Sequence, residues 1–214
     1  MDEFNTKVKA LQAQHFPSAI PLPGVPELLH NLSSNTTSPI RIALASSSHK
    51  ANYQLKTSHL KDLFSVFPED SVVLGDDPRV PAGRGKPAPD IYLLALKTVN
   101  DALAKEGNKD VIKPEECLVL EDAVPGVEAG RRAGMQVVWC PHEGLLKEYK
   151  GREKEVLAGL TGSYKEPEVI KPTPEVETPG QKVSGAPGKI DDGFGTLVKT
   201  LEDFPYEKFG IKLK

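Results

Sequence analysis

Cysteine is scarce in this 214-residue sequence. Cys117 and Cys140 are too few for a disulfide framework, and both sit in apolar runs patterned as buried strands, so a reducing compartment is expected. Aromatic residues make up 6% and apolar residues 38%, lowish for a chain that packs throughout, and part of it is therefore expected to stay outside any core. Charge of one sign is lacking too. The 27 basic and 30 acidic residues leave a net −3, which gives no footprint for wrapping nucleic acid or lying on an anionic membrane. No run approaches the roughly 18 apolar residues of a membrane span. The opening MDEFNTKVKALQ has neither an apolar signal core nor a small-residue cleavage site. The expectation is a cytoplasmic monomer with no nucleic-acid or membrane partner.

What is present is an alternation. Residues 2–16 put Phe4, Val8, Leu11 and His15 on one helical face, and that helix must stop before Pro17. PLPGVPELLHNL gives punctuation and then a short helix through Leu28, Leu29 and Leu32. RIALAS, residues 41–46, is the short apolar run of a strand buried on both faces. A helical stretch at 49–60, a strand at 72–75, a helix in PDIYLLALKTVNDALAKEG, a strand CLVLED, a helix GVEAGRRAG and a strand QVVWC follow. Strands alternating with helices predict an α/β fold with a parallel sheet, in which chemistry collects at the carboxyl ends of the strands. Residues 163–190, rich in Pro, Gly, Lys, Glu and Thr, lack apolar periodicity and predict a disordered insertion. Residues 191–214 then supply one more strand, TLV, and a tail docking through Phe204 and Phe209.

Two strand ends and one loop carry candidate chemistry. A phosphomonoester bears about two negative charges near neutral pH, so its site needs a hydroxyl donor, a fixed cation and a metal held by carboxylates. Ser46 ends RIALAS and can donate, helped by backbone N–H groups of the Ser47 turn ahead of a helix. Lys86 sits in GRGKPAPDIY, a loop of glycines and prolines that can hold one ammonium at the head of the next helix. Glu121 and Asp122 end CLVLED, and magnesium takes one or two such carboxylates with waters and phosphate oxygens. Each has a blander reading: Ser46 as a helix cap, Lys86 as a solvated lysine, and the acidic pair as the start of a turn. Asp76 and Asp77, before Pro78, read as turn formers.

In the order ALASSS, GRGKPAPDIY, CLVLEDAVPGVEAG, AGMQVVW, these segments resemble the haloacid dehalogenase superfamily of phosphatases over most of residues 20–140. The wording GDDPRV, EDAVPGVEAG and TLVKTLEDFPYEKFG is most similar to the branch that includes pseudouridine-5′-phosphatases and small sugar-phosphate phosphatases. The resemblance implies a Rossmann-like parallel sheet with flanking helices over residues 20–162, with residues 1–19 the remnant of a helical cap. It also implies Mg2+ as cofactor, held by Glu121 and Asp122. Ser46, Ser47 and Lys86 would bind phosphate, Ser46 and Lys86 would be catalytic, and the four principal residues would meet at the carboxyl edge of the sheet. The implied substrate is a small phosphorylated metabolite, a nucleoside or sugar phosphate.

The family's first motif, an apolar strand ending in Asp-x-Asp, has no counterpart in these residues; before Ser46 the acidic residues are Asp2, Glu3 and Glu27. The nucleophile is therefore absent, and the chain is expected to be N-terminally truncated and inactive as it stands. Asp191-Asp192-Gly193 follows SGAPGKI, which cannot form a buried strand, and reads as a loop. The alternatives are a non-catalytic module that binds phosphorylated ligands or a partner, and a phosphomutase of the same superfamily. The family's nucleophile strand lies centrally, so its loss is expected to bring segments 42–46 and 118–122 into direct pairing or to leave a marginally stable chain.

Overall fold

The computed structural model describes residues 2–164 and 185–214, so most of the expected insertion at 163–190 lies outside the described residues. The chain divides into two compact units, Met1–Ala82 with Leu94–Val111 and Thr200–Lys214, and Gly83–Leu93 with Ile112–Lys199.

In the first unit, α1 (Asp2–His15) ends where Pro17 requires, in a 3-10 turn over Phe16–Ser18. Its apolar face is not covered: Phe4 is 71% and Leu11 54% exposed. α2 (Val25–Ser34) buries Leu28 and Leu32 and begins at Gly24, whose φ of 84° suits glycine. Gly24 also lies against the Leu201 backbone so closely that any Cβ would overlap it. The C-terminal residues dock here: Asn31 Nδ2 donates to the Tyr206 hydroxyl at 3.0 Å, Thr37 N to Lys212 O at 2.8 Å, and Phe204 stacks on Phe209.

β1 (Leu44–Ala45) runs parallel to β2 (Val72–Val73), with α3 (Lys50–Thr57) and α4 (Lys61–Phe64) between them in sequence. The expected strand at 41–46 is thus only two ladder residues long, and none of its six residues is fully buried. An apolar run announces burial, but its length as a strand is set by the partner's register, and β2 offers two residues. α5 (Asp90–Lys105) starts in the second unit and continues in the first.

The second unit carries β3 (Leu118–Glu121), α6 (Val124–Arg132), β4 (Gln136–Trp139), α7 (Glu143–Glu148), α8 (Glu153–Ala158) and β5 (Gly195–Leu197). Its strands are all parallel in the order β3-β4-β5, with Val119 beside Val137 and Val138 beside Thr196. Val127, Val137, Val138, Trp139 and Val156 form a core from which solvent is excluded. Among the described residues every ladder lies within one unit, β1 pairing with β2 and β3 with β4, so the direct pairing expected between 42–46 and 118–122 is not among them. The α/β class with parallel strands and flanking helices is as the sequence predicts. No helix among the described residues is long and apolar enough to cross a membrane.

Candidate active site

β3 ends at Glu121, and the chain turns sharply into α6, placing two adjacent carboxylates in different surroundings. Glu121 points inward. Its carboxylate receives the Lys86 ammonium and the Tyr92 hydroxyl on one oxygen, and the Ala123 N–H at 3.3 Å on the other. The Lys86 and Glu121 side chains are 10% and 7% exposed, so this is a buried ion pair. Such a pair tolerates its desolvation only because further donors complete it. Gly126 supplies the room, since a Cβ there would overlap the Glu121 carboxylate. Asp122 is exposed, and among the described residues its carboxylate makes no hydrogen bond or ion pair. Its backbone carbonyl accepts from Trp139 Nε1 at 3.1 Å, which fixes the turn without using the side chain.

The loop carrying Lys86 is held at both ends. Arg84 grips Asp90 at the start of α5, with Nε 3.0 Å from each carboxylate oxygen and Nη2 2.8 Å from Oδ2. Arg84 Nη1 donates to the Tyr164 hydroxyl at 3.0 Å, and its bond to Asp90 holds the guanidinium pKa above the ordinary arginine value. A cavity of 390 Å3 lies between residues 83–88 and Ser163 and Tyr164. Lys86 Nζ also stands 4.7 Å from the Tyr92 ring centroid, a cation–π contact that adds to the ion pair. Burial, and after it the neighbouring Glu121 carboxylate, pushes the Tyr92 phenol well above its usual range, so it acts as a neutral donor.

Of the residues singled out from sequence, Lys86 and Glu121 are joined directly and Asp122 follows on the same turn. Ser46 and Ser47 belong to the other unit, on the turn between β1 and α3, where Ser46 Oγ accepts the Ser48 N–H at 3.1 Å. Asp76 and Asp77 behave as turn residues: Asp76 caps the Lys50 N–H, and Asp77 bonds the Arg79 N–H and guanidinium. Asp191 and Asp192 are engaged by Lys154 and Arg131. Cys117 and Cys140 are free thiols; burial, then Glu116 and Glu115, pushes Cys117 up to about 11. Sequence reasoning missed Tyr92, Arg84 and Asp90. A hydroxyl-bearing aromatic in the first turn after GKPAP, and an Arg and Asp six apart flanking the lysine, were the available signals.

Residues 4–134 match the model of the haloacid dehalogenase-like hydrolases. A probable pseudouridine-5′-phosphatase of Saccharomyces cerevisiae is 42% identical over 142 residues, 66% of this chain and 56% of that protein. A probable pseudouridine-5′-phosphatase of Drosophila melanogaster is 39% identical over 140 residues, 65% of this chain and 54% of that protein. The mitochondrial (DL)-glycerol-3-phosphatase 1 of Arabidopsis thaliana is 35% identical over 159 residues, 74% of this chain and 48% of that protein. The chain belongs to the haloacid dehalogenase-like hydrolase family. It spans about half the length of these curated relatives.

Proposed function

We propose that this chain carries the phosphate- and magnesium-binding part of a phosphomonoester phosphatase acting on a small phosphorylated metabolite, a nucleoside or sugar phosphate. The observation that carries the reading is the split between two adjacent carboxylates. Glu121 is spent on fixing the Lys86 ammonium, whereas Asp122 is left exposed beside it. On this reading Lys86 meets the phosphoryl charge, Ser46 and Ser47 donate to phosphate oxygens, and Glu121 and Tyr92 hold the Lys86 side chain in place.

The donor set fits magnesium rather than a metal caged by protein alone. No three His, Cys, Asp or Glu side chains among the described residues come together as a cage. Magnesium takes one or two carboxylates and fills its remaining positions with water and phosphate oxygens. Asp122 would be the direct ligand, and Glu121, its oxygens already engaged, the weaker contributor. When bound, the ion would offset negative charge on the phosphoryl oxygens. Residues 1–19 read as the end of a helical cap, 20–162 with 191–214 as the core. The reading places the protein in the cytoplasm.

A second reading of this polypeptide is a module that binds phosphorylated ligands without turning them over; the 214 residues hold no Asp-x-Asp. One experiment tests both. Purified residues 1–214 are assayed with a generic phosphomonoester and magnesium, and manganese binding is followed by its paramagnetic resonance. No turnover is expected, because nucleophilic attack lacks its group. Manganese binding should be lost in Asp122→Asn and retained in Glu121→Gln. Manganese binding indifferent to Asp122→Asn would sink the metal assignment, and turnover by the unchanged chain would overturn the claim of inactivity.

A further inference from the structure

Lys56 occupies the last turn of α3, where a lysine ordinarily faces water beside the negative end of the helix dipole. Its side chain runs the other way. Nζ donates to Ser48 Oγ at 3.0 Å, ahead of the helix N-terminus, and lies 4.4 Å from the Phe16 ring centroid. Helical side chains lean toward the N-terminus, so the reach is sterically natural, but it carries an ammonium toward the positive end of the dipole. Lys56 forms no ion pair among the described residues; the Asp76 carboxylate, at the N-terminus of the same helix, accepts the Lys50 N–H at 3.0 and 3.1 Å.

The loop that receives Lys56 is fixed on several sides. Ser46 N donates to Val73 O at 2.9 Å, Gly75 N to Ser48 O at 3.0 Å, and Ser48 N to Ser46 Oγ at 3.1 Å. Gly75 packs so near Ser47 that a Cβ would overlap the Ser47 carbonyl. Ser46 Oγ accepts from Ser48 N and Ser48 Oγ accepts from Lys56, so both hydroxyl protons remain to be donated. Two hydroxyl donors and an ammonium with N–H groups to spare form a set matched by an oxyanion.

We infer that Ser46, Ser48 and Lys56 form one anion subsite, in which Lys56 is a second cation for the phosphate of a phosphomonoester. The inference rests on the reading of Ser46 as a phosphate ligand. Inorganic phosphate is titrated calorimetrically into the full chain at low ionic strength. Lys56→Met, which keeps an apolar stem over Phe16, should weaken binding about tenfold, the worth of one charge-assisted contact. Lys56→Arg should restore it to within about threefold, and the salt dependence should be shallower in Lys56→Met than in the unchanged chain. Ser46→Ala should weaken binding as well. Loss in Ser46→Ala with none in Lys56→Met overturns this inference and leaves the reading of Ser46 standing. Loss in Lys56→Met with none in Ser46→Ala overturns that reading and the joint subsite. Equal loss in Lys56→Met and Lys56→Arg shows a structural role for the lysine and sinks the inference; no phosphate binding by the unchanged chain overturns both.

Discussion

At Gly126 two effects of opposite sign compete. Replacing a helical glycine by alanine ordinarily gains about 1 kcal/mol of helix propensity. Here the added methyl would overlap the Glu121 carboxylate, which Lys86, Tyr92 and Ala123 hold in place. Overpacking costs about 1–3 kcal/mol, and displacing a buried ion pair adds to it, so Gly126→Ala is expected to lower the urea midpoint. A raised midpoint would show that Glu121 is not held there. Asp192 offers a test by pH. Partial burial pushes its carboxyl up, but the Lys189 and Phe194 N–H groups and Arg131 more than reverse this and hold it below the ordinary value. A folded pKa below the unfolded one gives stability that is present above the unfolded value of about 3.9 and is lost as pH falls through the folded one. The stability gap between the unchanged chain and Asp192→Asn should therefore be full near neutrality and close below about pH 4; a gap constant from pH 7 to 3 would contradict it. The acidic pair was legible in the sequence because it ends an apolar strand, and Lys86 because it stands among glycines and prolines at the head of a helix. The division of labour between Glu121 and Asp122 was not, because it depends on Tyr92, which approaches from 29 residues away in the chain.

Among elements, α6 does the most to organise its unit. Glu128 on α6 is fully buried, and its oxygens receive Arg132, the Thr161 hydroxyl at 2.8 Å and the N–H groups of Ser163 and Tyr164, both at 3.2 Å. One residue of this helix thus fixes residues 161–164, while Arg131 reaches Asp192 and Arg132 reaches Gly185 O at 2.7 Å. Removing one partner of a buried charge pair costs about 3–5 kcal/mol, because the other charge is left uncompensated. Glu128→Ala should lose stability of that order and speed hydrogen exchange at the Ser163 and Tyr164 amides. Unchanged protection at those two amides would mean that the carboxylate does not hold them. None of this was legible, since Glu128 in GVEAGRRAG reads as an exposed helical glutamate. The strand–helix alternation was legible because period and punctuation are local properties. The short helices α4, α7 and α8 were not foreseen. They span four to six residues, too few for a periodic signal, and α8 is held by tertiary burial of Val156 and Ala158. The exposure of α1 was equally hidden, since an apolar face in sequence names a preference for burial and not the surface that provides it.

For the whole molecule, the strands set the stability that can be expected. Among the described residues the five strands have two to four residues each, β1 has β2 as its one ladder partner and β3 has β4. Each therefore has one side with no further strand in its ladder among the described residues, and that side of β3 is the more consequential, with Val119 buried at the strand's centre. An unpaired buried backbone group costs roughly 1–3 kcal/mol, so a few of them are comparable with the 5–15 kcal/mol that ordinarily separates folded from unfolded domains. Such edges invite pairing with another chain, and a net charge of −3 over 214 residues opposes association only weakly. Composition alone suggests a monomer; the edges argue against one. Purified residues 1–214 should show a sedimentation coefficient that rises with loading concentration, and a urea transition that shifts with concentration in parallel. A single monomeric species at every concentration, unfolding cooperatively with an m-value ordinary for its size, would show that these edges are covered in solution and that the stability argument from the strands is wrong.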